Sequence, residues 1–260
     1  MTGNLRPIGV FDSGVGGISV LSELVRLMPN ENFIYYGDSA NAPYGTRPLE
    51  QVAKLTSKTA DMLIEKGCKC LVIACNTATV AAVTGIRAKY KDIPVIGIEP
   101  ALKPAALDNR GKRILVLATH ITLNQTKFLN LLEHFKDEAL ISTLEAPGIV
   151  EFVERGEVES SAFTGYLKEL LADYIDNPPD AIVLGCTHYP FAKKQILNVL
   201  GNIPAIYDGG NGTARETLRQ LELHAICAPG DNKGTVVFSN SKPSEIVLSK
   251  ELFNKIMRGI

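Results

Sequence analysis

Two of the five cysteines in this chain end apolar runs at the same kind of address, Leu71-Val72-Ile73-Ala74-Cys75-Asn76-Thr77 and Ile182-Val183-Leu184-Gly185-Cys186-Thr187-His188. Each run is long enough for a buried strand and hands a thiol, then small hydroxyl or amide side chains, to a strand-to-helix turn. Ligands of open α/β sheets bind outside the carboxyl ends of the strands. Taken singly, either cysteine reads as a small packing residue; the paired placement reverses that reading. Two thiols so placed suit a reaction that takes a proton from one face of a carbon and returns one to the other.

The first βα turn, Asp12-Ser13-Gly14-Val15-Gly16-Gly17, lets backbone approach a ligand and presents helix N–H groups to an anion. A dinucleotide site is the alternative, with Asp38 standing where a ribose-binding acid would. Ser19 occupies the third glycine position of that fingerprint, however, and Asp12 would set a negative charge beside the phosphates. Asp12 also fits an ordinary Asx-turn or N-cap. The segment Asn41-Ala42-Pro43-Tyr44-Gly45-Thr46-Arg47-Pro48 has turn composition, and its place after the second strand favours a loop supplying backbone N–H groups to a substrate. His188, two residues after Cys186, is close enough to orient or protonate the thiol or to contact a carboxylate. Glu154 reads by default as a surface charge, His134 and His224 as solvated, and His120 is ambiguous. Cys68-Lys69-Cys70 lacks the spacing of a zinc knuckle, so Cys68, Cys70 and Cys227 read as packing residues and no metal is expected.

Positioning these groups falls to a strand–helix alternation. Apolar runs occur at Ile8–Phe11, Phe33–Tyr36, Leu71–Ala74, Val95–Ile98, Ile114–Leu117, Ala181–Leu184 and Ala205–Tyr207. Helical periodicity appears between them, as in Ile18, Leu21, Leu24, Val25 and Met28, or Phe128, Leu131, Leu132 and Phe135. The pattern predicts a doubly wound α/β fold with mostly parallel sheets. Ile8–Ser13 can be laid on Ile114–Thr119, and Cys75 on Cys186 at a similar offset, so we expect two pseudo-symmetric lobes. Residues 1–98 plus 209–260 form lobe one in this reading and 99–208 lobe two, with the C-terminal helices completing the first.

With 27 Lys+Arg against 28 Asp+Glu the net charge is -1, evenly spread, which gives no case for a nucleic-acid or membrane partner. No run resembles a signal peptide or a membrane span, and sparse, odd-numbered cysteines fit reduced thiols. A cytoplasmic protein is expected; a homodimer is among the assemblies the sequence allows.

Taken together, Asp12-Ser13-Gly14-x-Gly16-Gly17, Tyr36-Gly37-Asp38, Pro43-Tyr44-Gly45, Ala74-Cys75-Asn76-Thr77-Ala78 and Gly185-Cys186-Thr187-His188-Tyr189-Pro190 closely resemble the glutamate racemases of the aspartate/glutamate racemase superfamily. The resemblance implies cofactor-independent interconversion of L- and D-glutamate, supplying D-glutamate for peptidoglycan, in an active site between two lobes. It implies that Cys75 handles the proton on the D-glutamate side and Cys186 that on the L-glutamate side, with Asp12, His188 and Glu154 assisting. Substrate contacts are implied for Asp12, Ser13, Pro43, Tyr44, Gly45, Asn76, Thr77, Thr119, Thr122, Thr187 and His188. The chain departs from the family pattern at Ala146-Pro147, where many members have Cys-Pro, and at Ala118-Thr119, where they have Gly-Thr. Only a short segment precedes the first strand, so activation by a peptidoglycan precursor is not expected. The competing readings are a racemase for aspartate or another acidic amino acid, a nucleotide-binding oxidoreductase, and a ligand-binding module without catalysis; the choice of glutamate rests on the resemblance.

Overall fold

Ile8–Asp12 (β1) is buried at every position, as a central strand of a parallel sheet covered on both faces must be. In the computed structural model, which describes residues 4–259, the chain continues through α1 (Ile18–Leu27), β2 (Phe33–Gly37), α2 (Leu49–Glu65), β3 (Cys70–Ile73), α3 (Asn76–Lys89) and β4 (Val95–Gly97). Next come α4 (Leu102–Asp108), β5 (Arg113–Ala118), α5 (His120–Leu123), α6 (Thr126–Phe135), β6 (Leu140–Glu145), α7 (Pro147–Glu154), α8 (Ser161–Leu170) and α9 (Ala172–Ile175). The chain ends with β7 (Ala181–Leu184), α10 (Lys193–Val199), β8 (Ala205–Asp208), α11 (Gly210–Leu223), β9 (Val236–Asn240) and α12 (Glu245–Arg258). No helix of the described residues is long and apolar enough to cross a membrane.

The protein is α/β, with two units. One runs to Glu99 and resumes at Gly210; the other is Pro100–Gly209. Every strand pairing is parallel, in the orders β4-β3-β1-β2-β9 and β6-β5-β7-β8. Numbered within its own unit, each sheet therefore contains the order fourth-third-first-second, and the first unit adds β9 as a fifth strand beside the second. The registers match as well: Ile8 lies opposite Cys70, and Ile114 opposite Ala181. In this order the winding reverses between the first and third strands, and the crevice at their carboxyl ends is where such sheets bind ligands. That crevice lies beside Asp12 and Cys75 in the first unit, and beside Thr119 and Cys186 in the second.

Packing follows the periodicities. Ile18, Leu21 and Leu24 of α1 are buried, and α11 and α12 pack against α1. On the α2–α3 side, Phe11, Val52, Leu63, Ile73 and Ile86 form one core. Leu102, Ile114, Val116, Phe128 and Val183 form part of the core of the second unit. Each such side chain stabilises by about 1.5–3 kcal/mol relative to exposure. The segment that returns after Gly210 contributes a strand as well as helices. It is held by the buried ion pair Lys69 Nζ–Glu31 Oε2 at 2.6 Å, because Glu31 Oε1 also accepts the Ala228 N–H at 2.6 Å.

Two strands were not expected from the sequence, β6 and β9. Both are sheet edges, and β6 exposes four of its six residues, so no continuous apolar run marks it.

Candidate active site

The turn after β3 makes Cys75 the N-cap of α3. Its Sγ accepts the Ala78 N–H at 3.4 Å and lies 3.6 Å from Ser13 Oγ. The sulfur therefore sits at the positive end of a 14-residue helix, as an anion would. Asp12, fully buried, accepts the Gly14 N–H at 2.9 Å through Oδ1 in an Asx-turn. This takes one of the donors a nucleotide phosphate would need from the turn. Gly17 permits the arrangement, since a Cβ there would stand 2.5 Å from Asp12 Cβ. Tyr35 Oη donates to Gly14 O at 2.7 Å and closes the turn from below.

Asn76 and Thr77, both buried, open α3. Asn76 Oδ1 is shielded from solvent and has no hydrogen-bond partner among the described residues. A buried acceptor left open is costly, which marks this oxygen as a candidate to meet a ligand. Beyond β2 the chain makes two short 3₁₀ turns, Ser39–Asn41 and Tyr44–Thr46, joined through a cis Ala42–Pro43 peptide. Tyr44 is buried, Pro43 and Gly45 partly so. The Tyr44 hydroxyl donates to Asp38 Oδ2 at 2.7 Å; burial, then this bond, pushes its ionisation far above the ordinary range and keeps it a neutral donor.

The second unit uses different chemistry at the equivalent place. Cys186 Sγ is 3.7 Å from His188 Nδ1, and His188 Nε2 is 2.6 Å from Glu154 Oε1 at the end of α7. Burial opposes charge on the His188 ring, but hydrogen bonding to Cys186 and Glu154 outweighs it and raises its pKa well above 6.5. Both ring nitrogens of the imidazolium then donate, one to sulfur and one to carboxylate. Glu154, a surface charge by default, has a side chain only 19% exposed. Thr119 is the N-cap of α5, accepting the Thr122 N–H at 3.4 Å, with the two hydroxyls 3.0 Å apart. Thr119, Thr122 and Thr187 are all buried.

Sequence reasoning missed the groups that hold these side chains in place. Tyr189 Oη donates to Ala146 O at 2.9 Å, tying the His188 segment to the start of the helix that carries Glu154. The adjacency of Tyr189 to His188 was the only available signal. Asp38, read as a possible ribose ligand, instead binds Tyr44 and Asn41.

The remaining cysteines contrast with the pair. Burial raises the Cys68 thiol to about 11, raises Cys70 further, and raises Cys227 as well, so none is a ready thiolate. His120 is exposed and paired with Glu145 at 2.7 Å; His134 and His224 are exposed. Among the described residues no group of three or more His, Cys, Asp or Glu is placed to hold a metal ion.

A glutamate racemase of Clostridium botulinum (strain Alaska E43 / Type E3) is 48% identical over 249 residues, covering 95% of this chain and 96% of its own. The crystal structure of Escherichia coli glutamate racemase in complex with L-glutamate and activator UDP-MurNAc-ala is similar with a TM-score of 0.82 at 30% identity, covering 95% of each chain. That of the Francisella tularensis glutamate racemase with D-glutamate gives 0.81 at 29% identity, covering 96% of this chain and 93% of that one. The family described as Asp/Glu/Hydantoin racemase matches residues 8–217. With two identically wound parallel sheets and a match across most of its length, the chain belongs to the Asp/Glu/Hydantoin racemase family.

Proposed function

We propose that the chain interconverts L- and D-glutamate without a cofactor, using Cys75 and Cys186 as the two acid/base groups, and that it supplies D-glutamate for peptidoglycan from the cytoplasm. The observation that carries this reading is the matched placement of two buried thiols, each beyond the third strand of its own sheet, Cys75 3.6 Å from Ser13 Oγ and Cys186 3.7 Å from His188 Nδ1. The similar racemases, one with L-glutamate bound and one with D-glutamate, support glutamate as the substrate.

In the D-to-L direction, Cys75 as thiolate takes the α-proton. The electron pair left on Cα spreads into the α-carboxylate, and the Cys186 thiol delivers a proton to the opposite face. The enzyme ends with the protonation states of the two sulfurs exchanged, and the reverse reaction resets them. Removing an α-proton without an electron sink is slow, so hydrogen bonds to the carboxylate must strengthen as it becomes enediolate-like. Ser13, Thr77, Thr119, Thr122 and Thr187 supply hydroxyls for that purpose, and the Pro43–Gly45 backbone supplies N–H groups. The open Asn76 Oδ1 accepts from the substrate ammonium. Asp12 assists at Cys75, and the His188–Glu154 pair at Cys186.

The test is racemisation in deuterium oxide after dialysis against chelator, with no pyridoxal phosphate or nucleotide added. Each product enantiomer should carry deuterium at Cα from its first turnover. Interconversion without solvent deuterium, or only after a metal or cofactor is restored, would overturn the scheme. Aspartate tested alongside, with a kcat/KM at or above that of glutamate, would reassign the substrate.

A further inference from the structure

Asp38, the residue after β2, is a buried carboxylate to which the reaction scheme assigns no proton. Its neighbours make it the hub of the loop that follows. Tyr44 Oη donates to Oδ2 at 2.7 Å, and Asn41 Nδ2 lies 3.0 Å from Oδ1 and 3.1 Å from Oδ2. The Asp38 N–H donates to Asp12 O at 3.0 Å, and its carbonyl accepts the Asn41 N–H at 2.9 Å. Farther along, Arg47 Nε donates to Asn41 O at 2.6 Å and the Arg47 N–H to Tyr44 O at 3.1 Å. The far edge of the sheet braces the same segment: Asn240 Nδ2 donates to Ser39 Oγ at 3.0 Å, and Ser241 Oγ accepts the Ala40 N–H at 2.9 Å.

Burying a carboxylate is expensive unless its oxygens are hydrogen-bonded, and here neutral donors from the loop provide those bonds. The Tyr44 hydroxyl is thereby committed away from any ligand, which leaves the backbone of Pro43–Gly45 as the part of the loop able to meet one. We infer that Asp38 is a positioning residue for substrate: its carboxylate takes the Tyr44 hydroxyl and the Asn41 amide, and so fixes the 39–47 loop with the Tyr44 and Gly45 N–H groups presented to a substrate carboxylate. The inference rests on the reading of this loop as a glutamate-binding element. It also separates Tyr44 from a residue that binds substrate through its hydroxyl.

The consequence is an effect on binding shared by Asp38 and Tyr44 rather than one on the chemical step. Asp38→Asn keeps the shape but replaces an acceptor oxygen by a donor that opposes Tyr44 or Asn41. It should raise KM for both enantiomers about tenfold with kcat within about threefold, the loss expected for one charge-assisted hydrogen bond. Tyr44→Phe alone should do the same, and Tyr44→Phe added to Asp38→Asn should change nothing further, because the two groups serve one bond. Asn41→Ala, which leaves the carboxylate in place, should raise KM by a smaller factor, and it carries the test if Asp38→Asn does not fold. A merely structural Asp38 would lower the unfolding temperature and leave KM alone. An unchanged KM in folded Asp38→Asn, or additive effects of Asp38→Asn and Tyr44→Phe, overturns the inference while glutamate turnover by the wild-type chain stands. Absence of that turnover removes both the inference and the functional reading beneath it.

Discussion

The two units build the same crevice from the same strand order and fill it differently. Beyond the first strand, one offers a carboxylate in an Asx-turn, Asp12, and the other a threonine N-cap, Thr119. Beyond the third strand, one thiol caps a helix and the other faces an imidazole backed by a carboxylate. The winding of the two sheets is thus shared and the chemistry at their strand ends is not. One sulfur caps a helix beside a serine hydroxyl, the other faces an imidazole bound to a glutamate. The difference teaches that pseudo-symmetry here is a property of the winding, while proton handling belongs to each loop set separately.

The comparison is broken most severely at the sulfurs. Cys75→Ser or Cys186→Ser installs a hydroxyl far weaker as acid and base near neutrality, and each should cut racemisation by about 10³-fold or more. L- and D-glutamate are equal in energy, so kcat/KM must fall equally in both directions for any variant and cannot reveal which sulfur faces which enantiomer. A substrate analogue with a leaving group at Cβ needs only one deprotonation before it eliminates. Cys75→Ser should still eliminate from the L-like analogue and Cys186→Ser from the D-like one. Loss of both eliminations in folded variants would argue against two bases, and normal racemisation in either variant would refute the assignment.

The charge on His188 should sharpen the contrast next. A pKa raised above 6.5 in the folded protein means that the imidazolium's contribution is fully present below about 6.5 and is lost as pH rises through the folded value. Glu154→Gln removes one of the two groups that raise it. The alkaline limb of elimination from the L-like analogue, which depends on Cys186, should then move to lower pH. Elimination from the D-like analogue should keep its profile, since the Cys75 sulfur lies against Ser13 Oγ and the Ala78 N–H. A limb that moved equally for both analogues would show that Glu154 acts through the whole fold instead of through His188.

Glycines that allow close approach differ between the units in the same way. A Cβ at Gly17 would sit 2.5 Å from Asp12 Cβ, whereas one at Gly185 would sit 2.8 Å from Ala118 Cβ and 3.0 Å from Leu117 O. Either Ala substitution should cost about 1–3 kcal/mol of stability through overpacking. Only Gly17→Ala displaces Asp12, which the proposed scheme assigns to Cys75, so it alone should lower kcat out of proportion to its unfolding midpoint. Equal kcat losses in the two variants would mean that Asp12 has no part beyond its turn.

How far the sequence foretold this molecule depends on burial. Strands β1, β3 and β7 are buried at every position, and their apolar runs end within a residue or two of the structural limits. Strand β6 mixes polar and apolar residues on an exposed edge, and its Leu140 is 66% exposed, so its run carries no such mark. The same distinction holds around the thiols. That each cysteine follows an apolar run can be read locally. That Glu154 reaches His188 across 34 residues depends on how α7 packs, and a glutamate at a helix end gives no hint of it. Asp38 is likewise an ordinary turn residue until the loop folds back and places Tyr44 on it.

The smallest effects should come from two buried tyrosines that serve the two turns in parallel. Tyr35 Oη donates to Gly14 O beyond the first strand of one unit, and Tyr189 Oη donates to Ala146 O at the head of α7 in the other. Phe at either position keeps the ring and leaves a buried carbonyl without that donor, a cost of about 1–3 kcal/mol. Denaturant unfolding should show a lowered midpoint with an unchanged slope in both variants. The functional consequences should separate. Tyr35→Phe loosens the turn that holds Asp12 and should weaken elimination from the D-like analogue; Tyr189→Phe loosens the mount of Glu154 and should weaken elimination from the L-like one. If both variants lose stability but neither elimination changes, the tyrosines brace only the fold, and each thiol's neighbours are held by other contacts.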